Sequence, residues 1–422
     1  MSITVDVPTP ATPQATSFPA TGGGPAAMAP ATGITPDTGA AAVTAATGTA
    51  GITATAATAE IAATAEITEA GAEPGPLTDT AAFLTEADLS AQLVGDARQI
   101  RVLTGDRPTG PLHLGHYLGS LRNRVRLQDA GADLFMLVAD YQVVTDRDAG
   151  AGLADHARGL VADYLAVGLD PARSTVFAHS AVPALNQLLL PLLSLISVAE
   201  LERNPTTKAE AAASGRPALS ALMLTYPVHQ AADILFCHAD LVPVGRDQLP
   251  HLEVTRTVAR RFNTRYRPVF TEPRALISDA PCILGADGTK MSKSRGNTIA
   301  LRATADETAA VIKAFKTDTD RHIAYDPQTR PEVSNLLLIT ALCSGQDPHT
   351  VAEQIGDGGS AALKRHATEA VNEHLRPLRE RRAEVAHETG MLSQILRRGA
   401  ERATAEAERT LHHVREAMGM AY

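Results

Sequence analysis

Between residues 99 and 265 short apolar runs alternate with longer stretches of helical period, and that alternation leaves few folds open. Asp133–Tyr141 is largely apolar, the pattern of a strand buried on both faces. Such a strand needs helices on either side of its sheet, so the expected fold class is α/β with a parallel sheet. Gln99–Gly105, Ser174–His179 and Leu241–Gly245 read as further strands. Helical stretches are expected from about Leu114 to Ala130, over Gly152–Gly168, near 183–196 and 218–238, and from Asp247 to Arg265. From about residue 303 no convincing strand follows. The body therefore divides into an α/β domain at 98–300 and an all-helical C-terminal domain at 301–422.

The first 97 residues differ in kind. Residues 1–80 are low-complexity Ala/Thr/Gly/Pro sequence without period 2 or 3.6, so residues 1–97 are expected to be a disordered N-terminal tail, with a short amphipathic helix near 81–97. This segment has ten acids and no Lys or Arg, whereas the rest has 38 basic against 37 acidic residues. The net charge of −9 thus belongs to the tail, and it does not argue against a nucleic-acid partner for the near-neutral body. Three cysteines far apart in sequence exclude a disulfide framework and a cysteine-built metal centre, and suit a reducing cytoplasm. No run of 18 apolar residues occurs, so no membrane span is expected.

The strongest chemical signal follows the first strand, in Thr104-Gly105-Asp106-Arg107-Pro108-Thr109-Gly110-Pro111-Leu112-His113-Leu114-Gly115-His116. A strand-to-helix turn presents amide groups and a helix dipole that attract phosphate. His113 and His116 share a helix face, and Gly115 removes a side chain where a nucleotide would approach. Taken alone, the histidine pair reads sooner as surface residues or a partial metal site. Far downstream stands Lys290-Met291-Ser292-Lys293-Ser294.

Together these segments resemble the HIGH and KMSKS signatures of class I aminoacyl-tRNA synthetases, in the right order. Residues 98–422 resemble the bacterial tryptophanyl-tRNA synthetases over nearly their whole length, through Glu200-Leu201-Glu202-Arg203, Ala231-Ala232-Asp233-Ile234-Leu235 and Asp240 to Gln248. The resemblance implies a Rossmann-like catalytic domain at 98–300 and a helical tRNA- and anticodon-binding domain at 301–422. It implies ATP as substrate, Mg²⁺ held mainly by phosphates with no protein metal site, and L-tryptophan and tRNA(Trp) as partners of a cytoplasmic homodimer. By the same resemblance His113, His116, Lys290 and Lys293 are catalytic. Arg107, Pro108, Thr109, Gly115, Gly245, Arg246, Asp247 and Gln248 bind ATP together with Met291, Ser292 and Ser294. Leu103, Thr104, Gln142, Tyr226, Gln230, Asp233, Val242 and Val244 form the tryptophan site.

Physical chemistry agrees with part of this. Indole offers one N–H on a flat apolar body, so its pocket needs apolar walls and one acceptor. A carboxylate on an apolar helix is costly unless it meets a donor, and Asp233 is placed to be that acceptor, though a capping or surface role is open to it. Asp247 reads equally as a helix N-cap. Gln142 and Gln230 stand where relatives usually have His and Met, and His113-Leu114-Gly115-His116 where many have Thr-Ile-Gly-Asn. This pattern points to a divergent, auxiliary type. Arg376, Arg379, Arg381 and Arg382, then Arg397, Arg398, Arg402 and Arg409, form basic clusters that read either as tRNA contacts or as solvated helix faces. Other readings are a Trp-sensing or partner-binding relative, or specificity for tyrosine or a modified tryptophan.

Overall fold

The computed structural model describes residues 83–85, 100–145, 150, 152–213, 220–245, 248–277 and 282–422. Six parallel strands form one sheet: β1 (Phe83–Thr85), β2 (Arg101–Asp106), β3 (Asp133–Val138), β4 (Ser174–Ala178), β5 (Leu241–Val244) and β6 (Arg274–Ile277), in the order β1-β6-β5-β2-β3-β4. The chain winds outward from β2 to β4, then crosses over to β5 and β6. The crossover makes the carboxyl ends of β2 and β5 the switch point, where ligands bind in open α/β sheets.

Helices follow the strands. α1 opens at Leu114–His116, passes a π-helical turn at Tyr117–Leu121 and continues as Arg122–Asp129; α2 is Leu153–Val167. After β4 come α3 (Pro183–Leu193), α4 (Val198–Arg203), α5 (Pro205–Ala213) and α6 (Ala221–Leu235); α7 (Leu249–Arg265) follows β5. Beyond β6 the chain is helical: α8 (Ala305–Ala314), α9 (Pro331–Ser344), α10 (Pro348–Ile355), α11 (Gly359–Val385) and α12 (Thr389–Ala417). Alternate strand residues enter different cores. Val102, Leu134, Met136 and Val138 pack with α1, α2 and α11, whereas Leu103, Phe135 and Leu137 pack with α3, α6, α7 and α12.

The α/β class, the parallel sheet and the helical C-terminus agree with expectation. Two short strands and two helices do not. β6 and the helices α4 and α5 are additions, and Phe83–Thr85, expected near a helix, is an edge strand paired with Ala275–Ile277. The sheet edge supplies hydrogen bonds that no local period announces. The expected strand 133–141 stops at Val138, and Tyr141–Thr145 turns as a 3₁₀ helix. The rest of the expected disordered tail lies outside the described residues. α12 lies directly on β4: a Cβ on Gly399 would fall 1.8 Å from the Val176 carbonyl oxygen.

Candidate active site

The loop after β2 is built to hold two histidines against a helix start. Thr109 N–H donates to Arg107 O at 2.8 Å, and Gly110 takes φ +129°, a region that favours glycine. Pro108 is buried, while Arg107 and Thr109 are half-buried. Leu112 N–H donates to the buried carboxylate of Asp163 at 3.1 Å, and Arg382 of α11 donates to its other oxygen at 2.6 Å. The His113 and His116 rings lie 3.7 Å apart by centroid, and His113 N–H donates to His116 Nδ1 at 3.2 Å. His113 Nδ1 has no hydrogen-bond partner among the described residues.

Burial pushes both histidines down, His113 to about 3, with the charges of His116 and Lys293 adding to the effect. His116 falls to about 4, burial again leading and Asp106 opposing. Both are therefore neutral at neutral pH, each with one N–H to donate. Gly115 sits between them; a Cβ there would come within 3.1 Å of His113 Nδ1.

The lysine segment reaches this loop directly. Lys293 Nζ donates to Gly110 O at 2.9 Å across 183 positions of sequence. Leu114 N–H donates to Ile299 O and Leu301 N–H to Leu112 O, both at 2.9 Å, so the strand of chain leaving the lysine segment pairs with the histidine loop. Met291 is buried, Lys290 is exposed, and Ser294 lies in the 3₁₀ turn Lys293–Arg295. A residue the sequence did not single out ties the segment together. Buried Asn297 accepts from Ser292 N–H at 2.8 Å and donates to Asp287 at 2.7 Å and Lys290 O at 3.2 Å.

At the end of β5, Gly245 is exposed and accepts from Gln248 N–H at 3.0 Å; Gln248 Oε1 lies 3.3 Å from His251 Nδ1. Arg246 and Asp247 lie outside the described residues.

The expected tryptophan residues surround the switch point. Leu103 and Thr104 on β2 and Val242 on β5 are buried, and Val244 is half-buried. Tyr226, its ring 5.1 Å from that of His251, and Gln230 are half-buried on α6. Asp233 is 1% exposed, yet it is not a lone acceptor awaiting a ligand. Gln142 Nε2 donates to its Oδ2 at 2.6 Å, and His179 Nδ1 lies 2.7 Å from its Oδ1. His229 Nε2 lies 3.1 Å from His179 Nε2. The capping and surface readings of Asp233 therefore fall, and its burial is offset inside the protein. His179 and His229 were not singled out from sequence. A usable signal existed for His229, which precedes Asp233 by four residues and so shares its helix face.

The basic clusters are largely occupied. Arg381 donates to Ala166 O, Arg382 to Asp163, Arg379 to Asn372 and Thr308, and Arg376 pairs with Glu373 and Glu380. Arg402 pairs with Asp133 and Arg409 with Glu406. Arg397 and Arg398 are exposed on α12.

The family model described as tRNA synthetases class I (W and Y) matches residues 96–376. Over 335 residues the chain is 41% identical to the tryptophan–tRNA ligase of Treponema pallidum and 42% to that of Streptococcus pyogenes; 76% of this chain aligns with 97% and 98% of theirs. It is also similar to the tryptophanyl-tRNA synthetase of Campylobacter jejuni, solved with ADP and tryptophan, with a TM-score of 0.67 and 30% identity, covering 76% of this chain and 100% of that one.

Proposed function

This chain belongs to the class I tRNA synthetases of the tryptophan and tyrosine group, and from that premise we propose how its residues carry out the reaction. It is an ATP-dependent tryptophan–tRNA ligase. The tryptophan carboxylate attacks the α-phosphorus of ATP, pyrophosphate leaves, and the tryptophanyl group then passes from the adenylate to the terminal ribose of tRNA(Trp), releasing AMP. Catalysis of this kind rests on positioning and charge stabilisation. The single observation that carries our assignment is the meeting of the two loops, Lys293 Nζ on Gly110 O at 2.9 Å beside two neutral histidines.

In our reading, His113 and His116 donate to the phosphates, and Lys290 and Lys293 neutralise the departing pyrophosphate. Arg107, Pro108, Thr109 and Gly115 shape the phosphate loop. Gly245 to Gln248 face the adenosine, and Met291, Ser292 and Ser294 carry the two lysines. Leu103, Thr104, Val242, Val244, Tyr226 and Gln230 wall the indole, whose N–H goes to Asp233 beside Gln142. Mg²⁺, when bound, screens phosphate charge. It fits best on the phosphates themselves, because Asp106, the carboxylate that ends β2, is engaged by Arg124 and Tyr164. Purified protein is expected to give ATP–pyrophosphate exchange that depends on tryptophan and not on tyrosine. Exchange with tyrosine alone would move the specificity, and none with either would support a sensing relative.

We also assign a cytoplasmic homodimer. No described helix is long and apolar enough to cross a membrane. Support for the dimer comes from Leu190 on α3 and Val198 at the start of α4, 71% and 58% exposed, an apolar face that a second copy would cover. Leu190→Asp combined with Val198→Asp is expected to convert dimer to monomer in sedimentation velocity. An undiminished dimer would put the interface elsewhere. Arg397 and Arg398 are our choice for tRNA phosphate contacts, because the neighbouring arginines are committed within the chain.

A further inference from the structure

Two buried histidines in the amino-acid pocket have no part in the reaction as described. His179 opens the 3₁₀ turn directly after β4 and is fully buried; His229 on α6 is 3% exposed. With Asp233 they form a row: Asp233 Oδ1 to His179 Nδ1 at 2.7 Å, then His179 Nε2 to His229 Nε2 at 3.1 Å. We propose that His179 and His229 are positioning residues for tryptophan, a proton-linked pair that orients Asp233 through Oδ1, the oxygen that Gln142 leaves to them. This rests on the reading above that Asp233 accepts the indole N–H.

The geometry permits few proton arrangements. Two imidazole nitrogens 3.1 Å apart share one proton, since two would repel and none would leave both bare. His179 Nδ1 lies 2.7 Å from Asp233 Oδ1 and 3.4 Å from Gln142 Nε2, and the closer carboxylate places the proton on Nδ1. If His179 is neutral, its Nε2 accepts from His229 and the row carries a charge of −1. If His179 is cationic, it donates both ways and the row is neutral. His229 Nδ1, buried and without a hydrogen-bond partner among the described residues, can serve either form. Asp233 and His229 meet opposite nitrogens of the His179 ring. That arrangement passes a proton along the row; one ligand atom from each of the three residues also lies within 4.8 Å of the others, so a cation is the competing occupant that the test separates.

The charged and titratable groups facing His179 are Asp233 and His229 of α6, with Asp140 and Tyr141 after β3; Asn186 of α3 adds a hydrogen bond. Burial lowers the His179 pKa most, but the charge and hydrogen bond of Asp233, the charge of Asp140 and the hydrogen bond of Asn186 together outweigh it and hold the group above its ordinary value; burial lowers His229. An indole N–H is drawn most strongly to Asp233 when His179 is neutral. Tryptophan binding therefore releases a proton, and affinity rises as pH increases above the usual histidine value of about 6.5.

The test is the pH dependence of KM for tryptophan and of kcat in ATP–pyrophosphate exchange, from pH 6 to 8.5, for the full chain and for His179→Gln and His179→Asn. In the unsubstituted protein, KM is expected to fall several-fold with rising pH while kcat holds within about twofold over the same steps. Glutamine at 179 can keep one of the two contacts, to Asp233 or to His229, but loses the other and cannot titrate. It should raise KM about tenfold, the worth of one such bond, and flatten the profile while thermal unfolding stays cooperative. The asparagine variant distinguishes lost titration from lost reach: it should be flat as well, with a higher KM than glutamine. A KM independent of pH in the unsubstituted protein overturns the proposal, as does an unchanged slope in both variants. Stoichiometric Zn²⁺ binding that His179→Gln abolishes also overturns it, in favour of a metal site. No tryptophan-dependent exchange at any pH refutes instead the reading on which the proposal rests.

Discussion

Lys293→Ala is expected to slow adenylate formation by about 10²–10³, the usual loss on removing one preorganised donor to a charge-developing group, or about 2.7–4 kcal/mol of barrier. The ammonium is held over the histidine loop by the Gly110 carbonyl, and the backbone that carries it is pinned through Asn297. It therefore stands at the phosphate loop before any substrate arrives. Tryptophan binding should survive, because β2, β5 and α6 build the indole pocket. The two effects separate in one sample. The chain contains no Trp and seven Tyr, so the emission of added tryptophan can be followed almost without protein background. Retained binding with exchange lowered a hundredfold or more is the expected pair of results. Unchanged exchange would refute the role given to Lys293, and lost binding would show that the lysine segment reaches the amino-acid pocket.

What the sequence reveals of this site follows the range of the interactions. The histidine loop and the lysine segment are each contiguous, and each carries its chemistry within a few residues, so both are visible before folding. Asp233 is visible by contrast, a charge on an otherwise apolar helix. His179 is not, because a histidine just past a strand has no local anomaly; only the fold brings it to Asp233, 54 positions away. Asn297 is equally silent, one amide in a loop until the chain folds around it. Strands of three or four residues, as at Phe83–Thr85 and Arg274–Ile277, are too short for a period to register, and their partners across the sheet decide their existence. The arginines of α11 stay ambiguous in sequence for the same reason. Arg381 and Arg382 look like a nucleic-acid face in sequence, yet they reach Ala166 and Asp163, more than 200 residues away.

The largest expected loss of stability comes from a pair that only the fold reveals. Arg124 Nη1 lies 2.6 Å from Asp106 Oδ2, their side chains are 4% and 13% exposed, and Tyr164 Oη donates to the same oxygen at 2.7 Å. Burial alone would raise the Asp106 pKa; the charge of Arg124 and its hydrogen bond outweigh burial and hold the carboxyl far below the usual range. Arg124→Met leaves that carboxylate buried without its cation, which costs about 3–5 kcal/mol, enough to be plain in thermal unfolding. The pH dependence fixes the cause. A depressed carboxylate contributes stability above its unfolded pKa of about 4 and loses it as pH falls below. In Arg124→Met, burial acts unopposed and the carboxyl takes up a proton at higher pH, which relieves the buried charge. The gap between the two proteins should therefore narrow between pH 7 and pH 5. Adding Asp106→Asn, neutral but still able to accept from Tyr164, should recover part of the loss at pH 7 and remove its pH dependence. A constant gap would assign the loss to packing of the arginine stem alone. A double variant no more stable than Arg124→Met would mean that Asp106 carries little charge penalty, and that the loop after β2 is held in place chiefly by Asp163 and the lysine segment.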